Sequence, residues 1–497
     1  MAAWGPDPEG VGAGHSTVTR EWDNRTPPEG RPGSRITRRK ENRSVSVETT
    51  NPSVDRTTVL QSKLYQAAQR EPERRFHALY DKLSLGYVLQ SAWELVRQND
   101  GAAGIDEQTL VEIEAQGVPE FLVGIAQCLR DKTYRPQPVR RVEIPKAGDP
   151  TRTRPLGIPT VRDRVVQAAC KLLLEPIFEA GFEGCSFGFR PEKGPLDALE
   201  AVYHHSRQGY RWVVDADIQQ CFDTLDHQTL MTALRRRISD GELLRLIYRW
   251  LKAGYLWEGQ YHDTDQGSPQ GGVLSPLLAN VYLHGFDQAQ QTQKCFLGRL
   301  TRYADDFVIQ CGTAEQAGRA LEWTRAQLAR VGLTLHPAKT RVVNDREEGF
   351  DFLGFHHRRV LLTGSQKESR GVLRWPSKKA CRQFRERVRQ TVGPPGRLRR
   401  DRGGSLRRLG AYLTGWKHYF RHGESARTFA KLDQFVEERV ARNLARSQPT
   451  GKHRQRRRWG EIAGELVREG GLPKLGRLGT EALRTLRGRA KSRWRAV

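Results

Sequence analysis

The chain has 497 residues, which is too long for one ordinary hydrophobic core and predicts several domains. Its 83 Lys+Arg against 57 Asp+Glu give a net charge of +26, which favours a polyanionic partner such as nucleic acid. The sequence has no apolar run approaching the ~20 residues of a spanning helix and no signal-peptide core, which predicts no membrane association and a cytoplasmic location. The seven cysteines are scattered without a Cys-x-x-Cys pair, which argues against a disulfide framework or a cysteine zinc site.

The N-terminal segment, residues 1–54, is rich in Gly, Pro, Arg, Thr and Ser and predicts disorder, because it cannot bury enough apolar surface. A helical pattern begins at Leu60. The next apolar residues have the three-and-four spacing of an amphipathic helix: Phe76, Leu79, Tyr80 and Leu83. A further helix is predicted over 87–96, and the Gly-rich loop 99–106 ends at Asp106, which predicts a helix cap.

Two basic segments punctuated by prolines follow, at 134–146 and 154–167. Alternating apolar and charged residues in the first predict a β-strand with an exposed basic surface. Prolines set rigid turns around Lys146 and Arg154. Both side chains have the ordinary alternative of solvated surface cations, but a Lys point charge and a forked Arg also suit phosphate.

Acidic side chains occur in two apolar stretches. The two-residue period of 212–217 puts Asp215 and Asp217 on one strand face, so the pattern alone does not choose between them. Asp305 and Asp306 separate two short apolar runs, which predicts a hairpin with both acids at its turn. Paired carboxylates bind hard cations such as Mg²⁺. The alternative is a solvated turn, where Asp is common.

The segment Tyr303-Ala304-Asp305-Asp306 resembles the catalytic hairpin of reverse transcriptases, in the form typical of group II intron-encoded enzymes. Other segments resemble the motifs of that family in unbroken order from about residue 75 to about residue 360. They are Ile144-Pro-Lys146 with Arg154-Pro-Leu-Gly, Ser186-Phe-Gly-Phe-Arg-Pro191, Gln266-Gly-Ser-Pro-Gln-Gly-Gly-Val-Leu-Ser-Pro-Leu-Leu-Ala-Asn280, Gly332-Leu-Thr-Leu-His-Pro-Ala-Lys339 and Gly349-Phe-Asp-Phe-Leu-Gly-Phe355. The third of these is the most distinctive, since a Gly-rich turn before a helix permits close approach to phosphate or a base pair.

The resemblance implies that Asp217, Asp305 and Asp306 are the catalytic carboxylates and leaves Asp215 structural. With Ile218 beside them, they would bind two Mg²⁺ ions, one activating the primer 3′-hydroxyl and the other stabilising the leaving pyrophosphate. Asp226 is interpreted as a helix cap.

The resemblance also implies a site for the deoxynucleoside triphosphate, formed by Lys146, Arg154, Phe222 and Gln270. Phe222 would exclude ribonucleotides by contact with C2′ of the sugar, and its alternative is a core packing residue. The template and primer residues implied are Gly271, Gly272, Tyr303, Leu353 and Gly354, and the segment 186–191 is predicted to face the template. Lys339 is either a proton donor to pyrophosphate or a plain surface lysine.

Residues 409–423 and 429–440 have apolar residues at helical spacing and resemble the maturase region, domain X, of group II intron proteins. In that family the region forms the thumb helices and binds intron RNA. The RNA-binding residues implied are Trp416, Lys417, Tyr419, Arg421 and Arg427.

Positive charge is concentrated after the polymerase-like motifs. Residues 377–409 contain 12 Lys+Arg and 2 Asp+Glu, and residues 451–497 contain 14 and 4, so together they carry +20 of the +26. Aromatic residues among these basics suit stacking on unpaired bases: Trp375, Trp416, Tyr419, Trp459 and Trp494. The tail resembles the family's DNA-binding extension. The last cysteine is Cys381 and the last histidine His453, which predicts that the HNH-type endonuclease of many relatives is absent.

The predicted fold is α+β, a right-hand polymerase with fingers, a palm with an antiparallel sheet and a helical thumb. Its predicted domains are a disordered segment (1–54), fingers and palm (55–365), thumb and domain X (366–450) and a basic nucleic-acid-binding region (451–497). The function implied is RNA-directed DNA polymerase plus splicing maturase. Its partners would be group II intron RNA, a DNA target site, an RNA template with a DNA primer, and dNTPs, with a homodimer left open. The alternatives are a retron or CRISPR-associated reverse transcriptase and a non-catalytic RNA-binding splicing factor.

Overall fold

The computed structural model describes residues 52–146, 149–362, 369–393, 402–444 and 473–476. Most of the N-terminal segment, and the tail apart from 473–476, lie outside these ranges. Trp459 and Trp494 therefore fall outside the described residues, as does the side chain of Lys146. Residues 52–55 already belong to the first helix, so the predicted boundary at residue 54 is slightly too late.

The helices run in chain order as α1 (Pro52–Arg70), α2 (Tyr80–Leu83), α3 (Gly86–Gln98), α4 (Leu110–Gln116), α5 (Val118–Arg130), α6 (Val161–Glu179), α7 (Pro195–Arg207), α8 (His227–Arg235), α9 (Gly241–Leu251), α10 (Ser275–Thr292), α11 (Lys294–Leu297), α12 (Ala314–Ala329), α13 (Lys378–Val392), α14 (Arg402–Phe420) and α15 (Ala426–Leu444). The strands are β1 (Val139–Lys146), β2 (Asp149–Ile158), β3 (Trp212–Asp217), β4 (Tyr255–Trp257), β5 (Gln260–His262), β6 (Arg299–Tyr303), β7 (Asp306–Cys311), β8 (Arg341–Asn344), β9 (Phe350–Phe352), β10 (Phe355–Leu362) and β11 (Ser369–Pro376). A 3₁₀ turn covers Cys221–Asp223.

Two of the local helix predictions in the first quarter of the chain are wrong. The stretch 76–83 forms only the four-residue α2, because Phe76 forms a β-bridge with Ile238. The Asp240 carboxylate accepts hydrogen bonds from the backbone N–H groups of Leu79 and Tyr80 at the start of α2, both at 2.8 Å. Asp106 caps no helix. The cap of α4 is Thr109, which forms a reciprocal capping box with Glu112. The helix predicted over 87–96 is confirmed as α3.

The basic segment folds as predicted into a β-ribbon. Strands β1 and β2 pair antiparallel, and the short hairpin β4–β5 extends this sheet in the order β2-β1-β4-β5. Arg141 on β1 lies over the rings of Tyr255 and Trp257, at 4.9 and 5.2 Å from their centroids. The ribbon is thus fixed to the hairpin by cation–π contacts.

The second sheet is antiparallel in the order β6-β7-β3-β8, which confirms the predicted antiparallel sheet. Alternation along its strands sends side chains into two cores. Val214 and Phe307 belong to the core shared with α6 and α10, whereas Val213 and Val308 belong to the core shared with α13, α14 and α15. A sheet buried on both faces holds its edge residues in a fixed register.

The helices α14 and α15 confirm the predicted helical segments. They pack with α13 and with a third sheet of order β11-β10-β9. Within the described ranges, none of the helices has the length and apolar character needed to cross a membrane.

Candidate active site

The acidic hairpin forms as predicted, but only one of its two acids lies in the turn. Tyr303 at the end of β6 pairs with Asp306 at the start of β7, so Ala304 and Asp305 form a two-residue turn. Ala304 has φ +59°, the left-handed conformation that tight hairpin turns need at their first central residue. Asp305 therefore lies in the turn, and Asp306 opens the strand.

The sheet register places the acid of β3 against this hairpin. Asp217 pairs directly with Asp306, and Asp215 pairs with Val308. Directly opposed residues share a face, and residues two apart share it as well. Asp217, Asp306 and Asp215 consequently project from one face of the sheet, next to the turn that carries Asp305.

Burial and mutual repulsion act together on these acids. Burial raises the pKa of Asp306 well above its usual value, and the charges of Asp215, Asp305 and Asp217 raise it further. Burial also raises the pKa of Asp305, with Asp217 adding to the shift and Lys339 opposing it. The pKa of Asp215 rises to about 6 through burial, against the lowering effect of Arg341. A cation close to these carboxylates would favour their charged forms.

The donor atoms suit a hard divalent cation, since all are carboxylate oxygens. In the part of the chain that the structure describes, however, no three ligating side chains are grouped as a formed metal site. An oxygen of Asp217 is instead engaged by Lys339, whose Nζ lies 2.6 Å from Oδ2. The set therefore fits a metal in charge and chemistry, with one oxygen of Asp217 paired with Lys339. Ile218 follows directly and forms a β-bridge with Leu335.

A buried ion pair under the hairpin supports the site, and the sequence-based predictions assigned no role to its residues. Arg302 donates to both oxygens of Asp287, at 2.8 and 2.5 Å, and both side chains are almost fully buried. The same guanidinium donates to the Ala304 carbonyl at 2.8 Å and to Asn280 at 3.0 Å. Arg302 thus fixes the backbone of the acidic turn. The available signal was a charged residue within an apolar strand beside the two acids.

The segment 186–191 packs against the same hairpin. A Cβ added to Gly188 would lie 2.3 Å from the backbone nitrogen of Ala304, so only glycine permits this approach. Arg190 is buried and donates to Glu179 at 2.6 Å and to the carbonyls of Glu183 and Ser186. Arg190 thus fixes the fold of this segment, and the orientation of the segment towards a template stays a prediction.

The Gly-rich loop before α10 joins the ribbon to the acidic sheet. The Gln270 carbonyl accepts from the backbone N–H of Gly157 at 2.7 Å, and Ser268 donates its backbone N–H to the Phe222 carbonyl at 2.7 Å. Gly271 has φ +110°, and a Cβ there would lie 2.6 Å from the Gly157 carbonyl. Gly272 similarly sits against Ser275. The loop backbone thus approaches β2 closely, and its approach to phosphate or a base pair stays a prediction.

The residues predicted to face the nucleotide lie around this loop. Arg154 is exposed on β2, opposite Ile144 of β1. Phe222 is half-buried in the 3₁₀ turn, with its ring centroid 6.4 Å from that of Phe189. Asp226 accepts from the backbone N–H of Thr229 at 2.6 Å, so its interpretation as a helix cap is confirmed.

The predicted primer-contacting turn adjoins the C-terminal helices. Leu353 and Gly354 both have positive φ, and the Leu353 carbonyl accepts a hydrogen bond from the Tyr419 hydroxyl at 2.7 Å. Tyr303 is half-buried nearby and packs into the same core. Tyr419 thus ties this turn to α14.

Trp416 lies in the core, which corrects its prediction as a base-stacking residue. It is 8% exposed, and its ring lies 4.2 to 5.6 Å by centroid from three Phe rings: Phe384, Phe420 and Phe429. We call these four rings the aromatic cluster. Tyr419 also makes contacts inside the protein, through its hydrogen bond to the Leu353 carbonyl and its ring contact with Phe355. By contrast, Arg421 and Arg427 are exposed, and Lys417 donates to the Lys474 carbonyl at 3.0 Å.

Comparison with known proteins agrees with this arrangement. The family described as reverse transcriptase (RNA-dependent DNA polymerase) matches residues 144–357, which include the whole acidic sheet. The group II intron, maturase-specific domain matches residues 381–460, which include α14 and α15. The sheet and its acids therefore have the architecture of the reverse transcriptase class.

Three similar proteins extend the comparison. The group II intron-encoded protein LtrA of Lactococcus lactis subsp. cremoris is 40% identical over 233 residues, covering 47% of this chain and 38% of that protein. Protein YkfC of Escherichia coli is 35% identical over 365 residues, covering 65% and 93%. The putative COX1/OXI3 intron 2 protein of Saccharomyces cerevisiae is 36% identical over 169 residues, covering 34% and 19%. The chain belongs to the family of group II intron reverse transcriptases with a maturase domain.

Proposed function

We propose that the protein synthesises DNA on an RNA template and that it also acts as a maturase for a group II intron. The observation that carries the polymerase activity is the direct pairing of Asp217 with Asp306, beside Asp305 in the turn. The reverse transcriptase family generally uses divalent metal ions. Asp217, Asp305 and Asp306, together with Ile218, are the residues that would hold two Mg²⁺.

When bound, these ions would supply the positive charge that nucleotidyl transfer requires at the attacking and leaving oxygens. The contribution of the protein is to hold the carboxylates in register. The Arg302 guanidinium fixes the Ala304 carbonyl, and the β3–β7 pairing fixes Asp217 against Asp306. Such preorganisation lowers the cost of assembling the site during reaction.

The dNTP would lie between the β1–β2 ribbon and the Gly-rich loop. Arg154 and Lys146 would bind its phosphates as complementary charges, and Gln270 would lie near the base. The half-buried Phe222 would contact C2′ of the sugar and exclude a 2′-hydroxyl. Phe222→Ala should then raise ribonucleotide incorporation relative to deoxynucleotide, whereas an unchanged ratio would assign Phe222 to packing.

The template and primer would contact Gly271, Gly272, Tyr303, Leu353 and Gly354. The last two belong to the turn that Tyr419 connects to α14. A primer held there would lie between the acidic sheet and the helical domain, which share one core. Primer position would then respond to movement of the helices.

The maturase role would consist of binding intron RNA, so that the folded intron is stabilised by mass action. The exposed Arg421 and Arg427 support electrostatic contact with phosphate, and Lys417 is the third cation proposed there. Intron mobility would add a DNA target site as partner. The match of the maturase-specific domain favours this activity over a retron or CRISPR-associated type. We place the protein with nucleic acid in the bacterial cytoplasm.

Primer extension with the purified full chain tests the polymerase activity. RNA template, DNA primer, dNTPs and Mg²⁺ should give template-dependent products. Asp305→Ala should remove them while leaving the thermal unfolding transition of the protein in place. Equal incorporation by wild type and Asp305→Ala would contradict the role given to this carboxylate.

A further inference from the structure

Two cations at and just before the start of strand β8 pair with the two acids of β3. Asp215 pairs with Arg341 in the antiparallel register, and the Arg341 Nε lies 3.2 Å from Asp215 Oδ2. Two residues earlier in the chain, Lys339 reaches the acid two residues later on β3, with Nζ 2.6 Å from Asp217 Oδ2. Each of the two acids on this strand face therefore has its own cation, Arg341 from β8 for Asp215 and Lys339 from the turn before β8 for Asp217.

The backbone before β8 is fixed to the strand that carries Asp217. The Asp217 carbonyl accepts from the backbone N–H of His336 at 2.8 Å, and Gln219 donates its backbone N–H to Thr334 at 2.9 Å. The Lys339 N–H in turn donates to the His336 carbonyl at 3.1 Å. A hydrogen-bonded turn therefore holds the backbone of Lys339 close to Asp217, which favours formation of the ion pair.

The pair lies at the boundary between the core and solvent. The Asp217 side chain is 6% exposed and that of Lys339 34%. A carboxylate so buried strongly favours an adjacent positive charge, whereas the half-exposed lysine can turn towards water at small cost. Lys339 is therefore the partner that can leave.

We propose that Lys339 is a resident counter-ion of Asp217 that competes with the divalent metal and is displaced when the metal binds. This inference rests on the proposed polymerase site. One carboxylate oxygen cannot keep an ammonium group at 2.6 Å and also coordinate a divalent cation without strong repulsion between the two positive charges. The ion pair thus raises the metal concentration at which the site fills and keeps the acids of the metal-free protein compensated.

Direct titration of Mn²⁺ into the full-length protein, followed by electron paramagnetic resonance of the free ion, tests this without any turnover. Lys339→Met should tighten Mn²⁺ binding at this site by about tenfold, within the range of coupling between contacting charged groups. Lys339→Arg, which keeps the charge, should remain near wild type. Asp217→Asn should weaken binding and abolish the effect of Lys339→Met, because the shared oxygen donor is altered.

Two matched variants separate direct competition from a general loss of positive charge. Arg341→Met removes the neighbouring cation, which pairs with Asp215. Lys379→Met removes a cation of α13 that lies within electrostatic reach of Asp217 and Asp306. Each should tighten Mn²⁺ binding by less than about threefold, as expected of a distant charge. Equal tightening by all three variants would overturn the proposal in favour of general electrostatics.

Unchanged or weaker Mn²⁺ binding by Lys339→Met, in protein with a cooperative unfolding transition, would also overturn it. If Lys339→Met unfolds, the milder Lys339→Gln variant gives the same comparison of Mn²⁺ binding with wild type. The outcome is independent of primer extension. If wild type makes no DNA but Lys339→Met binds Mn²⁺ more tightly, the proposed polymerase function is rejected and the role of Lys339 as counter-ion is retained.

Discussion

The acidic sheet and the aromatic cluster both contain residues that the sequence suggested for contact with a substrate, but the fold treats them differently. Asp217 and Asp306 meet on a sheet face, where burial and like charges raise the pKa of Asp306. Trp416 is enclosed by three Phe rings. A cluster of acids is costly to bury and needs a compensating function, whereas an aromatic ring among basic residues is readily explained by packing.

The comparison also separates two ways of binding nucleic acid. The acidic site depends on the register of three strands and on a few atoms near Asp217. RNA binding by the exposed cations of the helices depends on summed charge, to which Arg421 and Arg427 contribute singly. We therefore expect single substitutions to abolish the activity of the sheet and to weaken that of the helices gradually.

The largest expected effect is at Asp217, with Asp215 as its matched control on the same face. Asp217→Asn should reduce template-dependent dNTP incorporation by roughly 10³-fold or more, because a metal ligand is lost. Asp215→Asn should reduce it by less than about tenfold, since Asp215 pairs with Arg341. Single-turnover primer extension measures both. A larger loss for Asp215→Asn than for Asp217→Asn would exchange their roles.

A substitution in the aromatic cluster should lower the free energy of unfolding and should not remove a specific contact with RNA. Trp416→Ala should lower the free energy of unfolding by about 3 to 5 kcal/mol, as for other large core aromatics. Arg421→Ala, at an exposed position directly after the end of the same helix, should change it by less than about 0.5 kcal/mol. Urea unfolding curves followed by tryptophan-independent circular dichroism compare the two. A stable Trp416→Ala protein with reduced RNA affinity would restore the stacking interpretation.

A smaller effect is expected at His357, which is buried and stacks on Phe350 with ring centroids 5.0 Å apart. Burial lowers its pKa to about 3, whereas an unfolded histidine titrates near ~6.5. Below pH ~6.5 the unfolded chain binds the proton that the folded chain excludes, so stability falls as the pH falls towards about 3.

His357→Phe should remove this acid sensitivity. Between pH ~6.5 and ~5 the wild type should lose about 2 kcal/mol more than the variant, at ~1.4 kcal/mol for each pH unit. Urea unfolding at the two pH values gives the difference, with the exposed His418→Phe as control. The same pH dependence in His357→Phe and wild type would show that other groups govern acid stability.

Much of the fold and of the acidic site could be predicted because motif order reports topology. The hairpin at Asp305 and Asp306, the helix after the Gly-rich loop and the helices α14 and α15 followed from local patterns. The position of Trp416 was also readable. Leu409, Leu413 and Phe420 share one helix face with it at three-and-four spacing, and all are buried.

Other features depend on contacts between distant segments. The start of α2 depends on Asp240, about 160 residues away in sequence, which accepts from its first backbone N–H groups, and on the β-bridge between Phe76 and Ile238. The pairing of Lys339 with Asp217 follows from the turn before β8, which the His336 backbone N–H ties to the Asp217 carbonyl, and no local pattern specifies this contact. The support given by Arg302 similarly requires Asp287 of α10.

The central claim is that polymerisation and splicing use different parts of the molecule. It is tested most directly by measuring both activities in one variant, Asp305→Ala with Asp306→Ala, once its unfolding transition shows that it is folded. This variant should lose cDNA synthesis and splice the intron at the wild-type rate at low Mg²⁺. Neutralising Lys417, Arg421 and Arg427 should instead weaken splicing first. Equal loss of splicing and polymerisation in the folded double mutant would contradict the account.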